Sequence, residues 1–362
     1  MAKLKLGIIG CGGIANGKHL PSLKQVPEVS LVAFCDIIVE RAEKAAKEYG
    51  AKGARVYKDY KEMLEKEKLD VVNVLTPNRE HSEISIAAME AGCHVMCEKP
   101  MAYNAAEALK MLETSRKTGK KLTIGYQNRF RPDSLFLKEM AVNGEFGDIY
   151  YTKAHAVRRR AVPTWGVFLN EHEQGGGPLI DIGTHALDLA LWIGDNYKPK
   201  YCVGTTYHKL NNDTNQGNAW GNWDPAKFTV EDSAFGFIVM ENGATINLEA
   251  SWALNTLDVL EASVSLSGTK LGADMRDGLR INGITHNRQY EYSPNLAAGG
   301  AAFFEGVGNE APAVVEAKQW IKAVLDDGTP VVLPEQAYVV SCILEGIYKS
   351  AASGKPFYFE NL

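Results

Sequence analysis

One short glycine-containing stretch near the start of the chain constrains its fold most strongly. Residues 6–9 form an apolar run that is short enough for a buried strand, and the run breaks at Gly10. Gly12 and Ala15 complete a G-x-G-x-x-A spacing directly after it. The first glycine permits a tight turn, the second lets a pyrophosphate approach the backbone, and the small third residue lets a helix pack closely. The stretch predicts a dinucleotide-binding unit, although a strand–turn–helix corner that needs only small residues has the same spacing.

A carboxylate at the end of the next predicted strand favours the dinucleotide interpretation. Residues 31–35 form a second apolar run, and Asp36 follows it. At that position a carboxylate can accept hydrogen bonds from both ribose hydroxyls of an adenosine. Ile37 and Ile38 come next and offer nothing to a 2′-phosphate, which the carboxylate would repel. We therefore expect NAD as the cofactor and NADP to be less favoured, with Arg41 as the residue that could reach round to a phosphate.

The composition is that of an ordinary globular protein. The chain has 362 residues, of which 45% are hydrophobic and 23% are charged, so it is long enough for two domains. A net charge of -5 argues against a general role on nucleic acid or a membrane surface, and no run of apolar residues is long enough to span a bilayer. The first strand begins close to Met1, which leaves no room for a signal peptide. With six scattered cysteines interpreted as buried thiols, we expect a cytoplasmic protein.

The order of predicted elements indicates two domains of different architecture. Strands and helices alternate through the first third of the chain, whereas long alternating strands later follow one another without helices. The sequence therefore predicts an α/β protein with an N-terminal Rossmann parallel sheet in residues 1–125. A C-terminal α/β domain with a large, mostly antiparallel open sheet is predicted in residues 126–359. The helix at residues 335–350 could pack back on the Rossmann domain, and residues 360–362 could be the remnant of a cleavage tag.

Two polar turns follow predicted parallel strands, at the edge where ligands bind in open α/β sheets. The first contains Thr76 and Asn78, which could contact a nicotinamide ribose; a polar turn that caps the next helix is the alternative. The second contains Lys99, between Glu98 and Pro100. A lysine there can accept a proton if burial or a nearby cation lowers its pKa, whereas a surface lysine in a turn is the alternative. Pro100 would make this turn rigid and could follow a cis bond.

A glycine turn at residues 175–177 leads into a helix predicted over residues 179–193. Asp181 and His185 are four residues apart in this helix and therefore share a face. Their neighbours are mostly apolar, and polar groups in such a helix are costly unless they are paired or used in chemistry. A pair that bonds only locally is the alternative. His172 and Glu173 lie nearby in the sequence, but their spacing matches no metal motif, so we expect no metal ion.

A basic cluster ends the strand that is predicted over residues 149–160. Alternate positions of a strand share a face, so Arg158 and Arg160 should point the same way, and Trp165 follows them. The indole could stack on a sugar ring and an arginine could bond its hydroxyls, whereas a solvated basic strand end is the alternative. We expect a neutral polyol or glycoside as the substrate. Further residues that could border the same cleft are His155, His172, Trp220, Trp223 and Tyr292.

Three motifs in this order resemble the Gfo/Idh/MocA family, which includes glucose–fructose oxidoreductase and inositol dehydrogenase. They are GCGGIA at residues 10–15, EKP at 98–100 and DIGTH at 181–185, and the similarity runs nearly the full length. The resemblance implies a Rossmann domain, a second domain whose open sheet often forms an oligomer interface, and chemistry on a secondary alcohol of a sugar or cyclitol. It implies that Lys99 is the family's lysine and that Asp181 and His185 lie near the substrate. It also implies that residues 126–130 line the cleft.

Together these observations predict an NAD-dependent dehydrogenase that acts on a secondary alcohol of a sugar, cyclitol or glycoside, as a homo-oligomer of two or four chains. Lys99 or His185 takes the hydroxyl proton as hydride leaves, while Asp181 orients the substrate or holds His185 in one tautomer. The predicted cofactor-binding residues are Gly10, Gly12, Gly13, Ile14, Ala15, Asp36, Ile37, Arg41, Leu75, Thr76, Pro77, Asn78, His81, Glu98, Lys99 and Gln127. The predicted substrate-binding residues are Lys99, Arg129, Arg158, Arg160, Trp165, His172, Asp181 and His185.

Two other functions are compatible with the same residues. One is an NAD-dependent glycosidase that cleaves its substrate through transient oxidation, which the sequence cannot separate from net oxidation. The other is a protein that senses a dinucleotide or binds a partner without catalysis. The presence of both Lys99 and His185 disfavours this last alternative.

Overall fold

The computed structural model describes residues 3–296 and 310–360, so Asn361 and Leu362 of the predicted tag remnant lie outside the described residues. The strands are β1 (Leu4–Ile9), β2 (Val29–Cys35), β3 (Arg55–Tyr57), β4 (Val71–Val74), β5 (His94–Cys97), β6 (Leu122–Ile124), β7 (Ile149–Val157), β8 (Pro199–Tyr207), β9 (Ser233–Met240), β10 (Thr245–Ser251), β11 (Leu260–Gly268), β12 (Gly272–Asp274), β13 (Arg280–Thr285), β14 (Arg288–Tyr292) and β15 (Phe357–Tyr358). The α-helices are α1 (Leu20–Leu23), α2 (Val39–Tyr49), α3 (Tyr60–Lys66), α4 (His81–Glu90), α5 (Ala105–Thr118), α6 (Pro132–Val142), α7 (Glu171–Gln174), α8 (Thr184–Gly194), α9 (Pro312–Leu325) and α10 (Pro334–Ser353). Short π-helical turns cover Ala15–His19 and Leu179–Gly183, and 3₁₀ turns cover Asn78–Glu80, Gln127–Phe130 and Pro225–Lys227.

The chain forms two compact units, Met1–Gln127 with Glu310–Tyr338, and Asn128–Asn309 with Val339–Leu362. The first contains a six-stranded sheet in the order β3-β2-β1-β4-β5-β6, and all its neighbouring strands are parallel. The strand order reverses direction at β1, which lies between β2 and β4. A reversal of this kind opens a crevice at the carboxyl ends of the strands, where nucleotides bind. The predicted Rossmann sheet is therefore confirmed.

Helix α9 returns from the far end of the sequence to complete the first unit. Trp320 and Ile321 of this helix are buried in one hydrophobic core with Leu20 and Leu23 of α1. The same core includes Ala15, the small residue that ends the glycine pattern. The packing of the glycine turn and its helix thus depends on residues that lie about 300 positions later.

The second unit contains a nine-stranded sheet in the order β14-β13-β12-β11-β7-β10-β9-β8-β15. Its neighbouring strands are antiparallel except for β7 and β10, which confirms the predicted mostly antiparallel sheet. Every residue from 184 to 193 of α8 is buried, because this helix packs both on one face of the sheet and against α6. Helix α10 approaches the same sheet at Gly204 and Gly236, where an added Cβ would come within 2.6 Å and 2.5 Å of Ile347.

Several predicted boundaries differ from the structure. Strand β7 ends at Val157, so the basic cluster at residues 158–160 lies beyond the strand and the argument that Arg158 and Arg160 share its face was wrong. The strands β12 to β15 were not predicted, because they are short and lack a buried alternating pattern. All six cysteines are buried thiols, as predicted. Among the described residues, no helix is both long and apolar enough to cross a membrane.

Candidate active site

The glycine turn of the first unit has the geometry of a dinucleotide-binding loop. Gly10 adopts a φ of +90°, and a Cβ there would lie 2.6 Å from the carbonyl oxygen of Leu75, so only glycine fits between β1 and the turn after β4. A Cβ on Gly12 or Gly13 would meet no heavy atom within 4 Å, so the outer side of the loop borders open space. A phosphate can therefore approach the backbone at Gly12 and Gly13, and these residues fit a dinucleotide.

Asp36 stands at the carboxyl end of β2, beside this loop. Its Oδ2 accepts a hydrogen bond of 2.8 Å from the backbone N–H of Cys11, and its Oδ1 accepts one of 2.8 Å from Ile38. A carboxylate has about four acceptor positions, so two remain for other donors. The position and acceptor capacity of Asp36 fit the ribose hydroxyls of an adenosine.

The other residues predicted to border the adenosine are accessible to solvent. Ile37 is 80% exposed and Arg41 is exposed on α2, while Ile14 is half-exposed beside the glycine turn.

The turns after β4 and β5 are held together by His81, the first residue of α4. Its Nδ1 lies 2.8 Å from the carbonyl oxygen of Pro100, and its Nε2 lies 2.9 Å from that of Thr76. The Lys99–Pro100 peptide bond is cis, as the sequence allowed. His81 is fully buried and both of its ring nitrogens are directed at carbonyl oxygens, so it holds the two turns at a fixed distance from each other. Its predicted direct contact with the cofactor stays a prediction.

A network of buried charged side chains surrounds Glu98, the residue before Lys99. Lys18 Nζ is 2.9 Å from Glu98 Oε1 and 3.0 Å from Glu316 Oε2, and it donates to Gln127 Oε1 at 2.7 Å. The ring of His19 contributes a second contact of 2.7 Å to Glu98 Oε1. Burial opposes ionisation of Glu98, but Lys18 and His19 together hold its pKa well below the usual value. Burial raises the pKa of Glu316, although Lys18 opposes this.

This network is bonded to the backbone N–H of Lys99. Glu98 Oε2 accepts a hydrogen bond of 3.0 Å from the backbone N–H of Lys99. Glu98 is 4% exposed and its carboxylate is bonded to protein donors, among them the backbone of Lys99, and its predicted direct contact with the cofactor stays a prediction. Gln127 is half-buried and bonded to Lys18, and its predicted cofactor contact stays a prediction. Thr76 and Lys99 are half-buried, Pro77 is exposed, and Leu75 and Asn78 are buried.

In the second unit, Asp181 projects from a π-helical turn that precedes α8. The turn covers Leu179–Gly183 and continues into α8, which carries His185. Trp252, which is fully buried, donates from Nε1 to Asp181 Oδ2 at 3.0 Å. Asp181 is half-buried and His185 is 8% exposed. A π-helical turn adds a residue to the helical repeat and is frequently found at functional sites.

Glu231 holds the amino end of this helical segment. Its carboxylate accepts hydrogen bonds from the backbone N–H groups of Gly177 at 2.8 Å and Leu179 at 3.1 Å, and from the hydroxyl of Tyr348 at 2.8 Å. A Cβ on Gly177 would collide with the backbone oxygen of Glu231, and a Cβ on Gly176 would collide with the hydroxyl of Tyr348. Glycine at these two positions therefore leaves room for the backbone of Glu231 and the side chain of Tyr348 to pack against the turn. Burial raises the pKa of Glu231 to about 7, despite the three donors that favour its charged form.

Aromatic side chains extend from Asp181 toward solvent. Trp252 packs edge-on against Phe168 with ring centroids 6.5 Å apart, and Phe168 packs against Trp165 at 5.9 Å. Trp165 in turn meets Trp220 at 5.0 Å. The guanidinium of Arg158 lies over the ring of Trp220 and forms hydrogen bonds of 2.7 Å and 2.6 Å with the carboxylate of Glu261. Among the predicted substrate residues, the structure thus groups Asp181, Trp165 and Arg158.

Other predicted substrate residues have different surroundings. Arg129 is fully buried and pairs with Asp188 through contacts of 2.9 Å and 2.6 Å, and its predicted role in substrate binding stays a prediction. Its guanidinium stabilises the packing of α8, beneath the ring of Trp192. Arg160 donates to the backbone oxygen of Gln216, which anchors a loop. His172 lies on α7 with a side chain that is 67% exposed. Within residues 3–296 and 310–360, no group of three His, Cys, Asp or Glu side chains is arranged to hold a metal ion.

Several residues that shape the site were not found from the sequence. Lys18 and His19 could have been suspected, because they follow the glycine pattern by one helical turn and interrupt an apolar helix. Glu231, Trp252 and Glu316 carry no such signal, because each reaches its partner only through the tertiary fold. Their spacing along the chain matches no recognisable motif.

Comparison with known proteins identifies similarity over most of the chain. Residues 4–126 match the model of an oxidoreductase family with an NAD-binding Rossmann fold, named GFO_IDH_MocA, and residues 135–273 match the GFO/IDH/MocA C-terminal domain. A D-glucoside 3-dehydrogenase of Escherichia coli is 37% identical over 353 residues, which cover 97% of this chain and 96% of that protein. An inositol 2-dehydrogenase of Salmonella typhimurium is 33% identical over 198 residues, or 54% of this chain and 56% of that protein.

Solved structures share the fold at lower sequence identity. An oxidoreductase domain protein from Kribbella flavida superposes with a TM-score of 0.86 at 21% identity, and the match covers all of both chains. A levoglucosan dehydrogenase in complex with NADH and L-sorbose superposes with a TM-score of 0.84, also at 21% identity and over all of both chains. At this identity the likeness concerns the architecture, and it agrees with the two sheets described above.

Proposed function

Because the chain belongs to the Gfo/Idh/MocA family of NAD-binding oxidoreductases, we propose that it oxidises the C3 hydroxyl of a glucoside with NAD as the hydride acceptor. The observation that carries this proposal is the full-length similarity to a D-glucoside 3-dehydrogenase, at 37% identity. The surroundings of Asp181 support it. A half-buried carboxylate beside aromatic rings can accept sugar hydroxyls on one side while the rings cover the apolar C–H face of the sugar.

The residues of the first unit are proposed to hold the dinucleotide. Gly12 and Gly13 offer the pyrophosphate an open backbone, and Asp36 offers the adenosine ribose its remaining acceptor positions. Ile14, Ile37 and Arg41 are proposed to border the adenosine, and Thr76, Pro77 and Asn78 to border the nicotinamide. When bound, the nicotinamide supplies the hydride acceptor, and the protein supplies orientation and proton transfer.

Lys99 is proposed to accept the proton that the substrate hydroxyl loses when its carbon gives up hydride. Its backbone N–H donates to Glu98, and the carbonyl oxygen of Pro100 lies 2.8 Å from His81 Nδ1, so the lysine side chain leaves a turn that is held on both sides. His185 is proposed as the second acid–base group, and Asp181 as an acceptor for a neighbouring sugar hydroxyl. Trp252 fixes the carboxylate of Asp181 through its indole N–H, which removes one source of disorder from the bound substrate.

The decisive experiment is a screen of NAD and NADP reduction at 340 nm against methyl glucosides, free monosaccharides and inositols. We expect NAD reduction with a methyl glucoside, and a keto product whose reduction with borodeuteride labels C3. Lys99→Ala should lower kcat by about 10²–10⁴-fold while the Kd of NADH changes little. Lys44→Ala, on the exposed face of α2, is the matched control and should leave kcat unchanged.

Three other results would contradict the proposed function or the role proposed for Lys99. Near-normal kcat in Lys99→Ala would contradict the role proposed for the lysine. Release of free sugar without net NADH formation would instead indicate a glycosidase that acts by transient oxidation. NADH binding without turnover on any of these substrates would favour a dinucleotide-sensing protein.

The open face of the nine-stranded sheet is proposed as the contact surface of a homo-oligomer. Val203 and Phe237 are register partners on β8 and β9, and they are 41% and 45% exposed. Apolar side chains that project side by side from a sheet are typical of surfaces that another chain covers. Phe237→Glu should therefore lower the mass measured by sedimentation, whereas Leu135→Glu, an equally exposed position on α6, should not. An unchanged mass in Phe237→Glu would contradict this contact.

A further inference from the structure

The second unit keeps two large aromatic side chains in solvent beside the candidate site. Trp165 and Trp220, which we call the tryptophan pair, are 52% and 44% exposed. The other tryptophans of the chain are at most 6% exposed: Trp192, Trp223, Trp252 and Trp320. Two exposed indoles in direct contact form an apolar surface that a monomeric protein seldom leaves uncovered without a binding role.

Two routes connect the tryptophan pair to Asp181: a series of side-chain contacts from Trp165, and an electrostatic interaction through Arg158 beside Trp220. On one side, Phe168 packs between Trp165 and Trp252, and Trp252 donates its indole N–H to Asp181. On the other side, Arg158 covers the ring of Trp220 and is close enough to Asp181 to interact with it electrostatically. The pair and the carboxylate therefore belong to one connected group of side chains. A ligand that binds at Asp181 and extends along these side chains would meet the aromatic surface.

The tryptophan pair is exposed but held in place by hydrogen bonds between two loops. Thr164 Oγ1 donates to the carbonyl oxygen of Trp220 at 2.7 Å, which ties the residue before Trp165 to its partner. Asn218 bonds both backbone groups of Val162, at 2.8 Å and 3.0 Å. Loops whose backbones are fixed in this way lose little conformational entropy when a ligand binds to the side chains they carry, which is the property of a prepared binding surface.

Arg158 and Glu261 give this surface a polar border. The bidentate pair lies against Trp220, and Arg158 is also bonded to the backbone of Ala161. An indole surface with fixed charged groups at its edge suits a ring that has C–H faces and peripheral hydroxyls. A methyl group is too small to cover two indoles, whereas a second sugar ring or an aryl ring can do so.

We propose that the tryptophan pair is a subsite for the aglycone ring of a glycoside whose reacting sugar is bound beside Asp181. This inference rests on the proposed function, since it assigns the part of the substrate that does not react. If the subsite binds such a ring, the preferred substrate is a glucoside whose aglycone is itself a ring, such as a glucosyl disaccharide or an aryl glucoside. Methyl glucoside and free glucose would bind only through the reacting sugar.

The test compares kcat/KM for methyl glucoside, a glucosyl-glucose disaccharide and phenyl glucoside. In the unmodified protein we expect the two ring glucosides to have the higher kcat/KM. Trp165→Ala and Trp220→Ala should each raise KM for the ring glucosides by about 3–10-fold, with kcat and the values for methyl glucoside nearly unchanged. Trp165→Phe should retain most of the preference, because it keeps an aromatic face. Tyr358→Ala, which removes another exposed aromatic ring, is the matched control.

The outcomes separate this inference from the proposed function. Oxidation of all three glucosides with equal kcat/KM, or variants that leave their ratio unchanged, would overturn the aglycone subsite and leave the proposed function intact. Turnover of none of them would overturn the proposed function. Quenching of tryptophan fluorescence by the disaccharide would then still measure binding at the pair, and equal quenching in Trp165→Ala and Trp220→Ala would overturn the subsite as well.

Discussion

At the scale of single residues, Glu231 links the stability of the second unit to pH. Its carboxyl group is 3% exposed, and burial raises its pKa to about 7 from the ordinary value of 4.5. The folded protein therefore retains a proton that the unfolded chain releases, so the stabilisation is complete below pH 4.5 and is lost as the pH rises through 7. A shift of this size is worth about 2–3 kcal/mol between pH 5 and pH 8.

The corresponding prediction concerns Glu231→Gln, which cannot ionise. We expect the free energy of unfolding in urea to fall by about 2–3 kcal/mol less between pH 5 and pH 8 in this variant than in the unmodified protein. Glu113→Gln, at an exposed position on α5, should retain the full pH dependence. If the pH profiles of Glu231→Gln and the unmodified protein are parallel, the carboxyl group of Glu231 does not titrate in this range.

Residues also differ in how well the sequence reveals them. Asp36 could be predicted because one βαβ unit fixes its distance from Gly10, and its carboxylate stands where that spacing requires. Glu231 could not, because its bonds to Gly177 and Leu179 cross 54 and 52 residues and depend on how the second unit packs. The partner of Arg129 could not be predicted for the same reason. A charged residue in a motif suggests a ligand, and only the fold shows that Arg129 pairs with Asp188.

At the scale of elements, two of the helices that carry residues of the candidate site begin with a π-helical turn. One covers Ala15–His19 and brings Lys18 and His19 to the same carboxylate, Glu98. The other covers Leu179–Gly183 and carries Asp181. The glycine motif predicted a helix at the first place, and the sequence predicted a helix over residues 179–193 at the second. The sequence could not predict the extra residue in each turn, because that residue is fixed by partners elsewhere in the fold.

Gly177→Ala tests whether the position of Asp181 depends on the close packing of the preceding turn against Glu231. A Cβ there would collide with the backbone of Glu231, so the turn would have to move and take Asp181 with it. We expect a loss of about 1–3 kcal/mol in the free energy of unfolding and a lower kcat, with the Kd of NADH unchanged. Gly194→Ala at the other end of α8 meets no atom within 4 Å and should be neutral in both respects. Normal kcat in Gly177→Ala would show that Asp181 does not depend on this turn.

At the scale of the whole molecule, the chain builds its dinucleotide unit from both of its ends. All motifs that predicted the cofactor lie before residue 100, yet α9 contributes Glu316 to the ionic network and Trp320 to the core beneath the glycine turn. The packing of α9 could not be predicted, because an apolar helical face does not specify which of two cores it joins.

This arrangement predicts that a substitution far from every motif will weaken cofactor binding. Trp320→Ala removes a side chain that is 4% exposed and shares its core with Ala15 and Leu20, so we expect a loss of about 3–5 kcal/mol in the free energy of unfolding. The glycine turn loses support, and the Kd of NADH measured by fluorescence titration should rise several-fold. Trp192→Ala is the matched control, since Trp192 is 6% exposed but belongs to the second unit. It should cost similar stability and leave the Kd of NADH unchanged, whereas equal Kd values in both variants would show that α9 is not needed for the dinucleotide site.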